Sequence, residues 1–132
     1  MAVAVDSSVL IHIFQGSATA EAWVNTLAEV RSQEELLVCD VVMAEIAPFF
    51  VSFKAQQQAL DALGVRYDVI LPPAAVLAGR IFQTYRRAGG SRTHLIPDFL
   101  VGAHAQLQAG RLIAADRGYL RAYFNGLPVI TR

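Results

Sequence analysis

Short runs of apolar and β-branched residues alternate along the chain with longer stretches in which apolar residues recur at helical spacing. The short runs are predicted to be buried strands, at residues 2–5, 36–39, 67–71, 112–115 and 129–130. The longer stretches predict helices over Ala20 to Arg31, Ala74 to Ala88 and Leu100 to Leu107. Strands that alternate with helices form right-handed βαβ units, so we expect one α/β domain over residues 1–132, with a parallel sheet covered on both faces.

The composition excludes several classes of protein. With 55% hydrophobic and 17% charged residues, the chain is too apolar to be disordered. No apolar run reaches the roughly 18 residues of a membrane span, and the first residues lack the basic segment of a secretory signal. The single cysteine, Cys39, lies in an apolar run and predicts a buried thiol. We therefore expect a cytoplasmic protein.

The balance of charges limits how a phosphate-bearing substrate would be bound. Eleven basic and eleven acidic residues give a formal net charge of zero, whereas proteins that bind nucleic acid through charge alone are basic. A bound metal ion or a local basic patch would have to meet the phosphates. Candidate RNA-binding arginines flank a glycine pair or follow an aspartate, although solubilising surface charge explains them equally well. They are Arg86, Arg87, Arg92 and Arg117.

Three aspartates follow predicted strands directly or after one loop: Asp6, Asp98 and Asp116. The carboxyl ends of parallel strands border the crevice where such sheets bind ligands. Carboxylates gathered there repel one another unless a cation compensates them, and Mg²⁺ or Mn²⁺ suits oxygen ligands. Such an ion can activate water and stabilise charge on a phosphodiester. Each aspartate is equally compatible with a helix N-cap.

Glu45 is the acidic residue that helix capping does not explain. It follows Val41, Val42, Met43 and Ala44 well inside a predicted helix, where we assign the N-cap to Asp40. A carboxylate among apolar neighbours is costly to bury unless another group compensates it. The alternative is a solvated stripe on an amphipathic helix.

Four segments, taken in order, resemble the PIN-domain nucleases, specifically the VapC-like toxins of toxin–antitoxin pairs. The first runs from Val5 through Asp6 to Ile11 and includes a small hydroxyl residue, Ser8, two positions after the aspartate. The others are residues 41–46 around Glu45, residues 96–105 around Asp98 and residues 113–120 around Asp116. The likeness extends over nearly the whole chain.

The resemblance implies a three-layer α/β/α sandwich with a central parallel sheet. It implies Mg²⁺- or Mn²⁺-dependent hydrolysis of RNA, transfer RNA among the possible substrates, by four carboxylates: Asp6, Glu45, Asp98 and Asp116. Asp6, Asp98 and Asp116 would hold the metal, and Ser8 would orient Asp6 or a bound water, unless it only bonds the backbone of a first helical turn. Family members commonly form homodimers and are silenced by a cognate antitoxin that blocks the acidic groove.

The sequence departs from the family pattern at two positions, and one of these departures leaves a second hypothesis open. Ala114 stands where the family usually has a hydroxyl residue, and Asp40 stands where serine, threonine or proline usually precedes the glutamate helix. Ala114 is compatible with a catalytically weak or inactive PIN-like module that binds RNA or a protein. A nucleotide-binding or phosphoryl-transfer protein is disfavoured, because no glycine-rich phosphate motif occurs and the only lysine, Lys54, lies in a polar helical stretch.

Overall fold

The computed structural model describes residues 1–91, 95–116 and 120–131. In these ranges five strands form one parallel sheet in the order β3-β2-β1-β4-β5. The strands are β1 (Ala2–Val5), β2 (Glu35–Val38), β3 (Val65–Tyr67), β4 (Arg111–Ile113) and β5 (Val129–Ile130). The helices are α1 (Ser7–Gln15), α2 (Ala20–Arg31), α3 (Asp40–Ile46), α4 (Phe53–Leu63), α5 (Pro72–Arg87), α6 (Ile96–Gln108) and α7 (Leu120–Tyr123), with a 3₁₀ turn at Ala47–Phe49.

The central strand β1 is buried because both of its neighbours pair with it. Val3 is aligned with Leu36 of β2 on one side and with Arg111 of β4 on the other. Val3, Ala4 and Val5 are each at most 2% exposed. A parallel strand covered on both faces has few polar positions, which explains why this segment is a continuous apolar run.

The order of the strands places helices on both faces of the sheet. The chain moves from β1 to β2 to β3 toward one edge, and from β4 to β5 toward the other. Because right-handed crossovers in opposite directions lie on opposite faces, helices α1 to α4 cover one face and α5 to α7 the other. The predicted three-layer α/β/α fold is confirmed. The carboxyl ends of β1 and β4 lie at the point where the direction of connection reverses, where ligands bind in such folds.

The third strand lies at Val65–Tyr67 rather than at the predicted residues 67–71. Beyond it, Asp68 donates its amide to Val38, and the amide of Ile70 bonds to a side chain rather than to the sheet. Val69 and Leu71 are each 49% exposed. These apolar residues lie at the open edge of the sheet, so their hydrophobicity does not report burial in a strand.

Two helices begin earlier than predicted because proline occupies their first turn. Helix α5 begins at Pro72 and α6 at Ile96, followed by Pro97. Proline is favoured in this turn because its missing N–H would have no intrahelical partner. The predicted N-cap at Asp40 is also wrong. Cys39 occupies that place with an extended backbone, and Asp40 is the first residue of α3.

A glycine in α6 allows close packing against Phe124, the residue directly after α7. A Cβ atom on Gly102 would lie 2.6 Å from the ring of Phe124, which is itself buried. The ring of Phe99 packs near those of Phe82, Tyr85 and Phe124. This apolar packing fixes the start of α6, where Asp98 lies. Within the part of the chain that the structure describes, no helix is long and apolar enough to cross a membrane.

Candidate active site

Asp6 lies between the end of β1 and the start of α1 and is the N-cap of that helix. Its Oδ2 accepts hydrogen bonds from the backbone N of Ser8 at 3.2 Å and from the Ser8 hydroxyl at 2.6 Å. The capping interpretation and the metal-ligand interpretation of Asp6 are therefore compatible. One carboxylate oxygen accepts both bonds, and neither bond involves Oδ1.

The Ser8 hydroxyl joins the ends of two neighbouring strands. It donates to Asp6, and it accepts a hydrogen bond of 3.0 Å from the backbone N of Ala115, two residues after β4. The amide of Asp6 in turn donates to the carbonyl of Ile113 at 2.9 Å. Ala114, where the family usually has a hydroxyl, is fully buried in the core. The hydroxyl that reaches this corner of the site is that of Ser8.

Glu45, near the end of α3, accepts a hydrogen bond of 2.9 Å at Oε1 from the hydroxyl of Ser7. The residue is exposed to solvent, so its apolar neighbours do not enclose it. Partial desolvation of the carboxyl group nevertheless raises the pKa of Glu45, and the charges of Asp6 and Asp98 raise it further, while the Ser7 hydrogen bond lowers it. Glu45 therefore lies within electrostatic reach of both aspartates.

Asp98 is the third residue of α6 and is half-buried. Its Oδ2 accepts a hydrogen bond of 3.1 Å from the amide of Leu95, which satisfies a donor just before the helix. Its charge acts on both Asp6 and Glu45. Asp6, Glu45 and Asp98 are called the acidic cluster below.

The acidic cluster carries more negative charge than its own surroundings compensate. Desolvation is the largest cause that raises the pKa of Asp6, the charge of Asp98 raises it further, and the hydrogen bonds from Ser8 lower it. Of the described residues, none forms an ion pair with Asp6 or Glu45. Such a set of oxygen donors suits a hard divalent cation. In residues 1–91, 95–116 and 120–131, however, no three acidic, histidine or cysteine side chains are already arranged around one ion position.

Asp116 is exposed and lies directly after Ala115, whose amide is bonded to Ser8. Its backbone is therefore one residue from the Ser8 corner. The structure therefore places the charges of Asp6, Glu45 and Asp98 within reach of one another. Asp116 lies near them along the chain.

Two of the four candidate arginines can be located. Arg86 and Arg87 are exposed in the last turn of α5, the helix that precedes the segment leading to Asp98. That segment is attached to the helix by the Tyr85 hydroxyl, which donates to the carbonyl of Ser91 at 2.7 Å. Arg92 and Arg117 lie outside the described residues.

Two further aspartates follow strands at the same edge of the sheet. Neither was predicted from the sequence to belong to the site. Asp40, after β2, accepts a hydrogen bond of 2.7 Å from the amide of Ile70. Asp68, after β3, lies 2.9 Å from Nε2 of His104 and accepts from Nε2 of Gln108 at 3.0 Å. His104 is 1% exposed and is a packed residue of the core. Asp40 and Asp68 are called the anchored pair below.

Ser7 was also missed, because the resemblance drew attention to the hydroxyl two positions after Asp6 rather than to the one directly after it. No sequence signal links Ser7 to Glu45, which lies 38 positions away. The contact forms only because α1 and α3 pack against each other.

Comparison with known proteins bears on the family and the fold. The model of the PIN domain family matches residues 3–125. No curated protein matches the sequence. Among solved structures, VapBC2 from Rickettsia felis bound to a promoter DNA fragment is similar, with a TM-score of 0.79 at 12% identity over 100% of this chain and 99% of that one.

Two other toxin–antitoxin structures share the fold. VapBC-1 from nontypeable Haemophilus influenzae has a TM-score of 0.73 at 16% identity, covering 99% of this chain and 98% of that one. A toxin–antitoxin complex from Klebsiella pneumoniae has a TM-score of 0.65 at 20% identity, covering 98% and 96%. The family model spans nearly the whole chain, and the five-stranded parallel sheet fits it. The chain belongs to the PIN-domain family.

Proposed function

We propose that the protein is a metal-dependent endoribonuclease that hydrolyses RNA phosphodiester bonds and serves as the toxin of a toxin–antitoxin pair. PIN domains are generally nucleases. The observation that carries the proposal is the acidic cluster: Asp6, Glu45 and Asp98 act on one another, and no described residue forms an ion pair with Asp6 or Glu45. Repulsion of this kind disfavours the metal-free site and is relieved when a cation binds.

Asp6 and Asp98, with Asp116 completing the set, would hold Mg²⁺ or Mn²⁺, and Glu45 would act beside them as the fourth catalytic carboxylate. A bound ion of this type supplies a water molecule of lowered pKa and stabilises charge on the phosphodiester. Ser8 holds Oδ2 of Asp6 through two hydrogen bonds. Because a carboxylate is planar, these bonds also fix the direction of Oδ1. Arg86 and Arg87, with Arg92 and Arg117, would hold the phosphates of the RNA.

The partners follow from the same resemblance. The similar structures are toxin–antitoxin complexes, which supports a cognate antitoxin as the protein partner of this chain. We further propose that the protein acts in the cytoplasm as a homodimer, and that transfer RNA is among its possible substrates. A basic antitoxin side chain placed against the acidic cluster would provide the compensating charge that the described residues do not give to Asp6 and Glu45.

The test is cleavage of a total RNA pool by purified protein, with the cut sites mapped. We expect cleavage with Mg²⁺ or Mn²⁺, none after chelation, and a loss of at least about a hundredfold in the Asp6→Asn variant. Asparagine is also a favoured N-cap residue, so the variant should fold as the wild type does. Full cleavage by a folded Asp6→Asn variant would contradict the assignment of the site. Metal-independent RNA binding without any product would instead support the non-catalytic PIN-like module.

A further inference from the structure

Two consecutive serines at the start of α1 serve two different carboxylates. Ser8 donates to Asp6 within its own turn, whereas Ser7 donates to Glu45 on a different helix. Successive helical residues point about 100° apart, so one helix start directs two hydroxyls at two acids. The family motif identifies only the second of these hydroxyls.

The Ser7 hydroxyl is well placed to fix Glu45. Ser7 is 8% exposed and belongs to the first turn of α1, so its side chain has little freedom. Glu45 is exposed and has several rotatable bonds, so its carboxylate loses conformational entropy when it is held in one place. For this glutamate, the Ser7 bond is the one side-chain hydrogen bond among the described residues. Without it, solvent and the neighbouring carboxylates would decide where the charge of Glu45 lies.

Repulsion within the acidic cluster makes this hydrogen bond more important. Asp6 and Asp98 both act unfavourably on the charged form of Glu45, and a free glutamate at this exposed position would turn away from them. The hydroxyl bond opposes that movement and favours the charged form. Because Ser7 uses Oε1, Oε2 is left for a water molecule or an ion.

We propose that Ser7 is a positioning residue that holds Glu45 against the repulsion of Asp6 and Asp98, in the orientation the metal site requires. This inference rests on the proposed function, since it assigns a role within the same site. It makes Ser7 and Glu45 one functional unit built from two helices. Once Glu45 is absent, removing Ser7 should then have little further effect.

The experiment is a double-mutant cycle with Ser7→Ala, Glu45→Ala and the double variant. Two properties are measured: the Mn²⁺ requirement, taken as the dissociation constant obtained from the rise in melting temperature with Mn²⁺ concentration, and the kinetics of RNA cleavage, as kcat and KM. We expect Ser7→Ala to raise the Mn²⁺ requirement and to lower kcat about tenfold each, with little change in KM. In the Glu45→Ala background the same change should have less than about a twofold effect. Ser7→Thr, which keeps the hydroxyl, should restore most of both properties.

Ser52→Ala is the matched control. The Ser52 hydroxyl accepts from the amide of Ala55 and caps α4, away from the acidic cluster, so its loss lowers stability without altering the Mn²⁺ requirement. An unchanged Mn²⁺ requirement in Ser7→Ala, or an equal loss in the Glu45→Ala background, would overturn the role of Ser7. If wild type binds Mn²⁺ but cuts no RNA, the proposed nuclease function fails and the Mn²⁺ measurement alone decides the role of Ser7. Failure of wild type to bind Mn²⁺ would overturn both.

Discussion

Asp6 of the acidic cluster and the two aspartates of the anchored pair occupy equivalent places in the fold and differ in their electrostatic surroundings. Asp6 follows β1, Asp40 follows β2 and Asp68 follows β3, all at the carboxyl edge of one sheet. Asp40 is bonded to a backbone amide, and Asp68 contacts His104 and Gln108. Asp6 instead shares its surroundings with Asp98 and Glu45. A place at the end of a strand therefore does not by itself make an aspartate functional; its partners do.

The anchored pair connects the edge of the sheet to the helices. Gln108 donates to both Asp68 and the carbonyl of Val69, and its own oxygen accepts from the amide of Leu71. These bonds take the place of sheet hydrogen bonds, which the exposed residues after β3 do not form. They tie the β3–α5 segment to α6, the helix that carries Asp98. The anchored pair therefore stabilises the fold. The fold in turn holds the acidic cluster in an arrangement in which its charges repel one another.

The largest expected difference between the anchored pair and the acidic cluster is in how their substitution changes stability without divalent ions. Asp68→Ala leaves the buried His104 without its carboxylate partner and removes one of the two acceptors of the Gln108 amide, and should lower the free energy of unfolding by about 2–4 kcal/mol. Asp6→Asn keeps the N-cap and removes a desolvated charge, so it should leave the stability unchanged or raise it. Urea unfolding at pH 7 in the presence of a chelator measures both. Comparable losses in the two variants would show that the comparison is wrong.

The next effect is the stabilisation that a divalent ion provides. At a free Mn²⁺ concentration about a hundred times its dissociation constant, the wild type should gain about 2.7 kcal/mol of unfolding free energy. Asp68→Ala should gain the same amount from its lower unfolding free energy, because Asp68 is not one of the proposed ligands of the ion. Asp6→Asn should lose most of the gain. The measurement is urea unfolding with and without Mn²⁺, and an equal gain in Asp6→Asn would remove Asp6 from the ion site.

The sequence predicted the centre of the fold better than its edge. Strand β1 lies at Ala2–Val5 as predicted, because a strand with neighbours on both sides has almost no polar positions. Strand β3 begins two residues before the predicted position, since at the open edge apolar residues such as Val69 are exposed and no longer mark burial. The predicted bounds of α5 and α6 leave out the prolines that begin these helices, although proline is compatible with a first turn.

The sequence predicted candidate carboxylates for the site but not the hydrogen bonds that position them. Asp6, Glu45 and Asp98 follow from position and resemblance, and the structure places their charges in mutual reach. The bond from Ser7 to Glu45 spans 38 positions, and the contact of Asp68 with His104 spans 36. Both depend on helix packing, which a single sequence does not encode in any local pattern. The roles of all four carboxylates, Asp6, Glu45, Asp98 and Asp116, stay predictions.

The smallest expected effect is the pH dependence of stability that the acidic cluster imposes without metal. The pKa of Asp6 and of Glu45 is raised in the folded protein, so the folded state binds protons more tightly there than the unfolded chain does. The contribution of these groups to stability is therefore fully present below their unfolded pKa values, near 3.8 for Asp6 and 4.5 for Glu45, and is lost as pH rises through the raised values.

In urea unfolding with a chelator, this contribution should make the wild type lose more stability between acidic and neutral pH than the Asp6→Asn variant does. Because Glu45 is exposed to solvent and is present in both proteins, the difference between them reports mainly the titration of Asp6. Adding Mn²⁺ should reverse the sign of the dependence, since the ion binds the deprotonated carboxylates and stabilises them as pH rises. The same pH profile in wild type and Asp6→Asn would mean that the charge of Asp6 is compensated as well as the charges of the anchored pair are.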